Sequence, residues 1–251
     1  MNCSQLTWIT VSPYSVSHVA PTGLTLVCHV HLVLKSHNHF WRSKWVSVHR
    51  YIKGHRNLGT IIVSDLNDVF VNPINGLEIL DRFKTLAPTS LLISTEDTCW
   101  IGRVCDRNDV RRFQGANISN MRFIHSQFMG LRSSVLHMLS WGLQMRTWDD
   151  MHMMYEYAIE HPNRVSLDHE YSIFGSLAYA TPQKGAPYMC WNGPCVPDKL
   201  PRPCTRDKVQ GVCVVDGRYK RCPLLWHGNG LLSRNFLNTN PSCTRLLGRL
   251  K

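Results

Sequence analysis

An unbroken β-branched run that ends on carboxylates, Thr60-Ile61-Ile62-Val63-Ser64-Asp65-Leu66-Asn67-Asp68-Val69-Phe70-Val71, constrains this chain more than any other stretch. Its apolar residues are consecutive, not alternating, so it predicts a strand buried on both faces, as interior strands of α/β sheets are. Ligands of open α/β sheets sit at the carboxyl ends of the strands, which is where the run delivers Asp65 and Asp68. Two carboxylates there are costly unless they hold a cation or pair with a base. Far downstream, Leu224-Leu225-Trp226-His227-Gly228-Asn229-Gly230 reads as a short strand opening into a histidine and a glycine turn. Together the two stretches predict a carboxylate–carboxylate–imidazole metal site beside a flexible loop.

The chain has 251 residues, enough for a sizeable core, most simply as one α/β domain over 1–251 and alternatively as two small ones. Hydrophobic residues make up 43% and charged residues 18%, which excludes a disordered composition. The net charge of +11 favours an anionic partner such as a nucleotide, phosphate, nucleic acid or acidic glycan. Ten cysteines are many for a reduced protein, and no C-x-x-C pair occurs, which argues against a zinc ribbon and for disulfides or buried thiols. Cysteine content leans towards the secretory pathway, with the endoplasmic reticulum lumen as the compartment and the cytoplasm as the alternative, while the sequons Asn2-Cys3-Ser4 and Asn117-Ile118-Ser119, common by chance, add little. No apolar run reaches the ~20 residues of a membrane span. Leu24 to Leu34 is short, late and broken by Cys28, His29 and His31, so it is not read as a signal peptide.

Strand and helix patterns alternate, which sets the class as α/β. Leu6 to Val11 and Gly23 to Leu34 read as strands within a poorly defined first 40 residues. Their histidines, at 29, 31, 37 and 39, lack a nearby carboxylate or cysteine to complete a metal shell, so they are read as surface residues. From Phe40 to Gly59, Trp41, Trp45, Val48 and Ile52 recur at helical spacing with Arg42, Lys44, Arg50 and Lys53 between them. That pattern suits a helix packed on a sheet, and a basic aromatic face also suits nucleic acid. Helices are further predicted around 77–86, 133–141 and 151–160, and strands at 91–94 and 122–130. Residues 181–223 hold seven prolines and five cysteines and predict an irregular, disulfide-tied insertion. Cys195, Cys204, Cys213 and Cys222 fall nine apart.

Asp65 and Asp68 offer the oxygen ligands that magnesium or manganese takes, and His227 tilts the preference to manganese. Such an ion stabilises a diphosphate as leaving group, and Gly228, Asn229 and Gly230 could bring backbone N–H groups to the same phosphates.

The ordered set of motifs resembles the glycosyltransferase domain of procollagen lysyl hydroxylases and related collagen glycosyltransferases. Ile61 to Val71 is similar to that family's strand and metal-binding aspartate motif, and Ser94-Thr95-Glu96-Asp97-Thr98-Cys99-Trp100 to its strand ending in cysteine-tryptophan. Asp149-Asp150 resembles its aspartate-rich segment, and Leu167-Asp168 with Ile173-Phe174 a later stretch. His227-Gly228-Asn229-Gly230 resembles its closing metal-histidine motif. The resemblance spans residues 40–235 and implies a GT-A fold, a Rossmann-like mixed sheet flanked by helices, using manganese and a UDP-sugar donor. It implies Asp65, Asp68 and His227 as metal ligands. It places Asn67, Trp100, Gly228, Asn229, Gly230 and Arg234 around the donor, and Asp149 and Asp150 near the sugar or acceptor. By their residue types alone, Trp100 reads as core packing and Asp149-Asp150 as a helix N-cap.

The chain departs from the family at several points. Asn67 stands where an aromatic residue usually meets the uracil, and Ile124-His125-Ser126-Gln127 lacks the glycine of an asparagine-serine-glycine turn. Asp150-Met151-His152 replaces an Asp-Asp-Gln ending, and Arg234 substitutes for a phosphate-contacting lysine. The first reading is therefore a metal-dependent glycosyltransferase moving a hexose from UDP to a hydroxyl of a protein, such as hydroxylysine, or of a glycan. The second is a non-catalytic relative that binds nucleotide sugar or an acidic partner, and the third a nucleic-acid-binding or base-modifying protein. No H-x-D or H-x-E triplet occurs, so an iron-oxygenase facial triad lacks its usual pair.

Overall fold

The computed structural model describes residues 4–12, 27–34, 40–65, 69–71, 76–96, 123–146, 149–169, 172–176, 202–207, 211–216, 219–221 and 225–227. The apolar run forms β3 (Thr60–Asp65), buried from Thr60 through Ser64. It lies between β1 (Leu6–Ser12) and β6 (Phe123–Leu131) in a six-stranded sheet. With β2 (Cys28–Val33), β5 (Leu91–Glu96) and β7 (Ser166–Asp168), the order is β2-β1-β3-β6-β5-β7. β1 runs parallel to β2 and β3, β5 runs parallel to β7, and β6 is antiparallel to both β3 and β5. Five strands therefore point the same way, and their carboxyl ends share an edge with the start of β6. Cys28, at the start of β2, is disulfide-bonded.

Each face of this sheet has its own core. Helices α1 (Phe40–Gly54), α3 (Arg132–Gly142) and α4 (Asp150–Glu160) bring Trp45, Val48, Ile52, Val135, Met138 and Tyr155 onto Ile61, Val63, Ile93 and Phe128. The α1 stripe falls at i, i+3 and i+7, and burying each such side chain contributes roughly 1.5–3 kcal/mol. Helices α1 and α3 approach closely at Gly142, where an added Cβ would lie 2.6 Å from Trp45 Cζ3. On the opposite face, α2 (Gly76–Leu86) sets Ile79 and Phe83 into a cluster with Leu6, Trp8, Ile62, Leu92 and Met129. The same cluster takes Ile173, Phe174 and Leu225. The last two belong to a small sheet of order β4-β12-β8, built from β4 (Val69–Val71), β8 (Phe174–Ser176) and β12 (Leu225–His227).

The expected α/β alternation, the mixed sheet and its flanking helices are all present. Two expectations change. The segment 181–223 is not irregular throughout: β9 (Arg202–Asp207), β10 (Gly211–Asp216) and β11 (Tyr219–Arg221) form an antiparallel sheet of order β11-β10-β9. Its prolines and cysteines masked the β-branched Val212, Val214 and Val215, and the nine-residue spacing puts Cys204 and Cys213 on neighbouring strands. Nor are His29 and His31 idle surface residues. Both face Thr10 on β1, with His29 Nε2 at 2.9 Å and His31 Nδ1 at 3.1 Å from its hydroxyl. Burial, and then the neighbouring His31, hold the His29 imidazole down at about 4. No helix among the described residues is long and apolar enough to cross a membrane.

Candidate functional site

At the carboxyl edge of β3 a lysine absent from the sequence-derived site turns inward. Lys44, in the first turns of α1, is 1% exposed and places its Nζ 2.8 Å from Asp65 Oδ1 and 3.2 Å from Asp150 Oδ2. Three elements, α1, β3 and α4, thus meet on one ammonium. Burial by itself would lower the Lys44 pKa, but the two facing carboxylates outweigh it and hold the ammonium above its usual range. One cation cannot neutralise two carboxylates. Burial pushes Asp150 up to about 6 against the pull of Lys44, with the charges of Asp65 and Asp149 adding to the rise. Asp65 is the most open of the three, at 16% exposed, and among the described residues its Oδ2 receives only a long 3.5 Å hydrogen bond from Ser126 Oγ.

Asp149 and Asp150, adjacent in sequence, have different surroundings. Asp149 is the N-cap of α4, its Oδ1 accepting from the Met151 and His152 amides at 2.9 and 3.1 Å. Asp150 points into the ion cluster. His227 lies on the other face of the main sheet, where β12 adds Leu225 to the α2-side core. Its ring rests on His125, with centroids 4.0 Å apart. In the backbone, His227 is opposite Val69 of β4 and Ser176 of β8. Asn67, Asp68, Trp100, Gly228, Asn229, Gly230 and Arg234 lie outside the described residues. Among the described residues no group of three or more His, Cys, Asp or Glu side chains is gathered closely enough to hold a metal ion.

Asp168, on β7, has a constructional role. Its Oδ1 accepts from the Ser172 amide at 2.9 Å, and its Oδ2 from the Ile173 and Phe174 amides at 2.8 Å. That carboxylate fixes the start of β8, which in turn pairs with the strand carrying His227. A buried polar row crosses the same face of the sheet. Thr10 is in register with His31 and Ser64, Ser94 is bonded to the backbone of Gln127, and Ser94 is in register with Asp168. The Gln127 carboxamide is fully buried, with neither its oxygen nor its nitrogen hydrogen-bonded among the described residues.

Sequence reasoning missed Lys44 because the residue sits within a run of interleaved basic positions. Trp45, Val48 and Ile52 define the buried stripe, and Lys44 flanks it by one residue, which was a usable signal. Arg42 is also turned inward, donating to the Leu143 and Met145 carbonyls.

No family model matches the chain, and no curated protein matches it. Among solved structures it is similar to a glycosyltransferase involved in the glycosylation of the major capsid of PBCV-1. The identity is 8% and the TM-score 0.46, over 92% of this chain and 96% of that one. A likeness at that level carries no argument about what this chain binds or does.

Proposed function

We propose that the chain is a metal-dependent glycosyltransferase of GT-A type, moving a hexose from a UDP-sugar to a hydroxyl of a protein, such as hydroxylysine, or of a glycan. The pairing of His227 with Val69 carries this reading. It sets His227 beside β4, the strand that follows Asp68 in the sequence, and this supports a reading in which the two remote motifs serve one site.

Asp65, Asp68 and His227 would hold manganese, or magnesium in its place. Of these, Asp65 offers its Oδ2, whose hydrogen bond among the described residues is the long one from Ser126, while its Oδ1 is engaged by Lys44 and His227 lies on the other face of the main sheet. When bound, the cation would draw charge from the departing diphosphate. Asn67, Trp100, Gly228, Asn229, Gly230 and Arg234 would receive the nucleotide and sugar. Asp149 and Asp150 would act at the sugar or acceptor side from the start of α4. A secretory compartment suits the disulfide at Cys28.

A second reading, binding of nucleotide sugar without transfer, draws support from the engagement of Asp149 in a cap and of Asp150 with Lys44. The nucleic-acid reading loses support, because Arg42 and Lys44 of the basic helix are committed internally.

Calorimetric titration of UDP, with manganese and then with a chelator, tests the proposal. We expect metal-dependent binding that Asp68→Ala abolishes while the protein stays folded. Equal UDP binding by the variant would remove the metal site. UDP–metal binding without hydrolysis or transfer of any UDP-hexose would select the second reading.

A further inference from the structure

We propose that Trp41 is a platform on which the site seats a neutral hexopyranose ring; the inference rests on the glycosyltransferase reading above. Trp41 lies in the first turn of α1, one turn before Trp45 on the stripe that continues through Val48 and Ile52. Trp45 is 1% exposed, whereas Trp41 stays 39% exposed. The helix therefore carries its apolar stripe past the cover of the sheet, at the carboxyl edge of β3 where α/β sheets take ligands. Lys44 joins the indole to that edge, its Nζ lying 5.8 Å from the ring centroid and 2.8 Å from Asp65 Oδ1. Because that ammonium is buried, the exposed part of the indole is turned away from it. The surrounding charges select the ligand. The ammonium already at the ring repels a second cation, and the Asp65 and Asp150 carboxylates repel a bare phosphate. A neutral ring meets neither penalty. The C–H face of a hexopyranose suits the electron-rich face of an indole. Its hydroxyls can donate to Asp65, whose Oδ2 has, among the described residues, only the 3.5 Å hydrogen bond from Ser126.

The test titrates UDP, UDP-glucose, UDP-galactose and the two methyl hexosides into the whole chain with manganese present, and repeats each titration with Trp41→Ala and Trp41→Phe. Trp41 is partly exposed, so both variants should keep the thermal midpoint of the unaltered chain. We expect Trp41→Ala to weaken a UDP-hexose about tenfold while UDP itself binds as before, with most of the loss recovered in Trp41→Phe, which keeps a ring. That pattern seats the donor hexose on Trp41. The same loss for a methyl hexoside titrated in the presence of UDP, with both UDP-hexoses unaffected, seats an acceptor hexose there instead. Equal losses for UDP and the UDP-hexoses would assign the indole to the base and overturn the proposal. Affinities unchanged throughout would overturn it as well, and both results leave the glycosyltransferase reading intact. Absence of UDP and UDP-hexose binding by the unaltered chain overturns that reading and the proposal with it.

Discussion

Asp150 is the residue whose chemistry depends most on its setting, and its pH behaviour follows from the geometry. Its carboxyl is buried, second in distance to Lys44, and pushed from 3.8 to about 6 in the folded chain. A carboxyl with a raised folded value binds its proton more tightly in the native state. Its contribution to stability is therefore present at low pH and lost as pH rises from about 4 through about 6. Asp150→Asn removes that titration. We expect the stability of Asp150→Asn relative to the unaltered chain to increase between pH 4 and 7, followed by urea unfolding at a series of pH values. A difference that stays level, or falls, would show that Asp150 is ionised throughout. At this scale the sequence was only partly informative. The Asp149 cap was legible, because a carboxylate before a helical run satisfies free amides locally. The Lys44–Asp150 pair was not, since nothing local joins residues on two helices so far apart in the chain.

The elements themselves were legible where the pattern was strong. Consecutive apolar residues marked β3 and β5, and the helical spacing of Trp45, Val48 and Ile52 marked α1. The short strands were not, because Ser166-Leu167-Asp168 and Phe174-Gly175-Ser176 are too brief for any period to show. They exist because Asp168 gathers three successive amides and starts β8 against β12. Asp168→Ala should expose those amides and cost about 2–4 kcal/mol, each buried donor left unpaired carrying its own desolvation cost. The loss should concentrate in the small sheet. We expect faster hydrogen exchange at the amides of Leu225 to His227, with β3 and β6 little altered. Uniform loss of protection across both sheets would instead make Asp168 a general core residue.

For the whole molecule, a ligand that binds only the folded chain raises its stability by mass action. UDP with manganese at about a hundred times its dissociation constant should add roughly 2.7 kcal/mol, and either component alone much less. Equal thermal shifts with and without manganese would contradict a shared metal–nucleotide site. By itself the sequence determined the α/β class, the buried β3, the order of the main helices and Asp65 at a strand end. All of these follow from local hydrophobic period and from the rule that consecutive apolar residues need cover on both faces. Only the tertiary structure decided that Lys44 closes on Asp65 and Asp150, that β6 runs against its neighbours, and that His227 comes to Val69 from the far end of the chain. Those outcomes depend on which elements pack together, and an ion pair between a helix and a strand leaves no periodic trace in the residues between them.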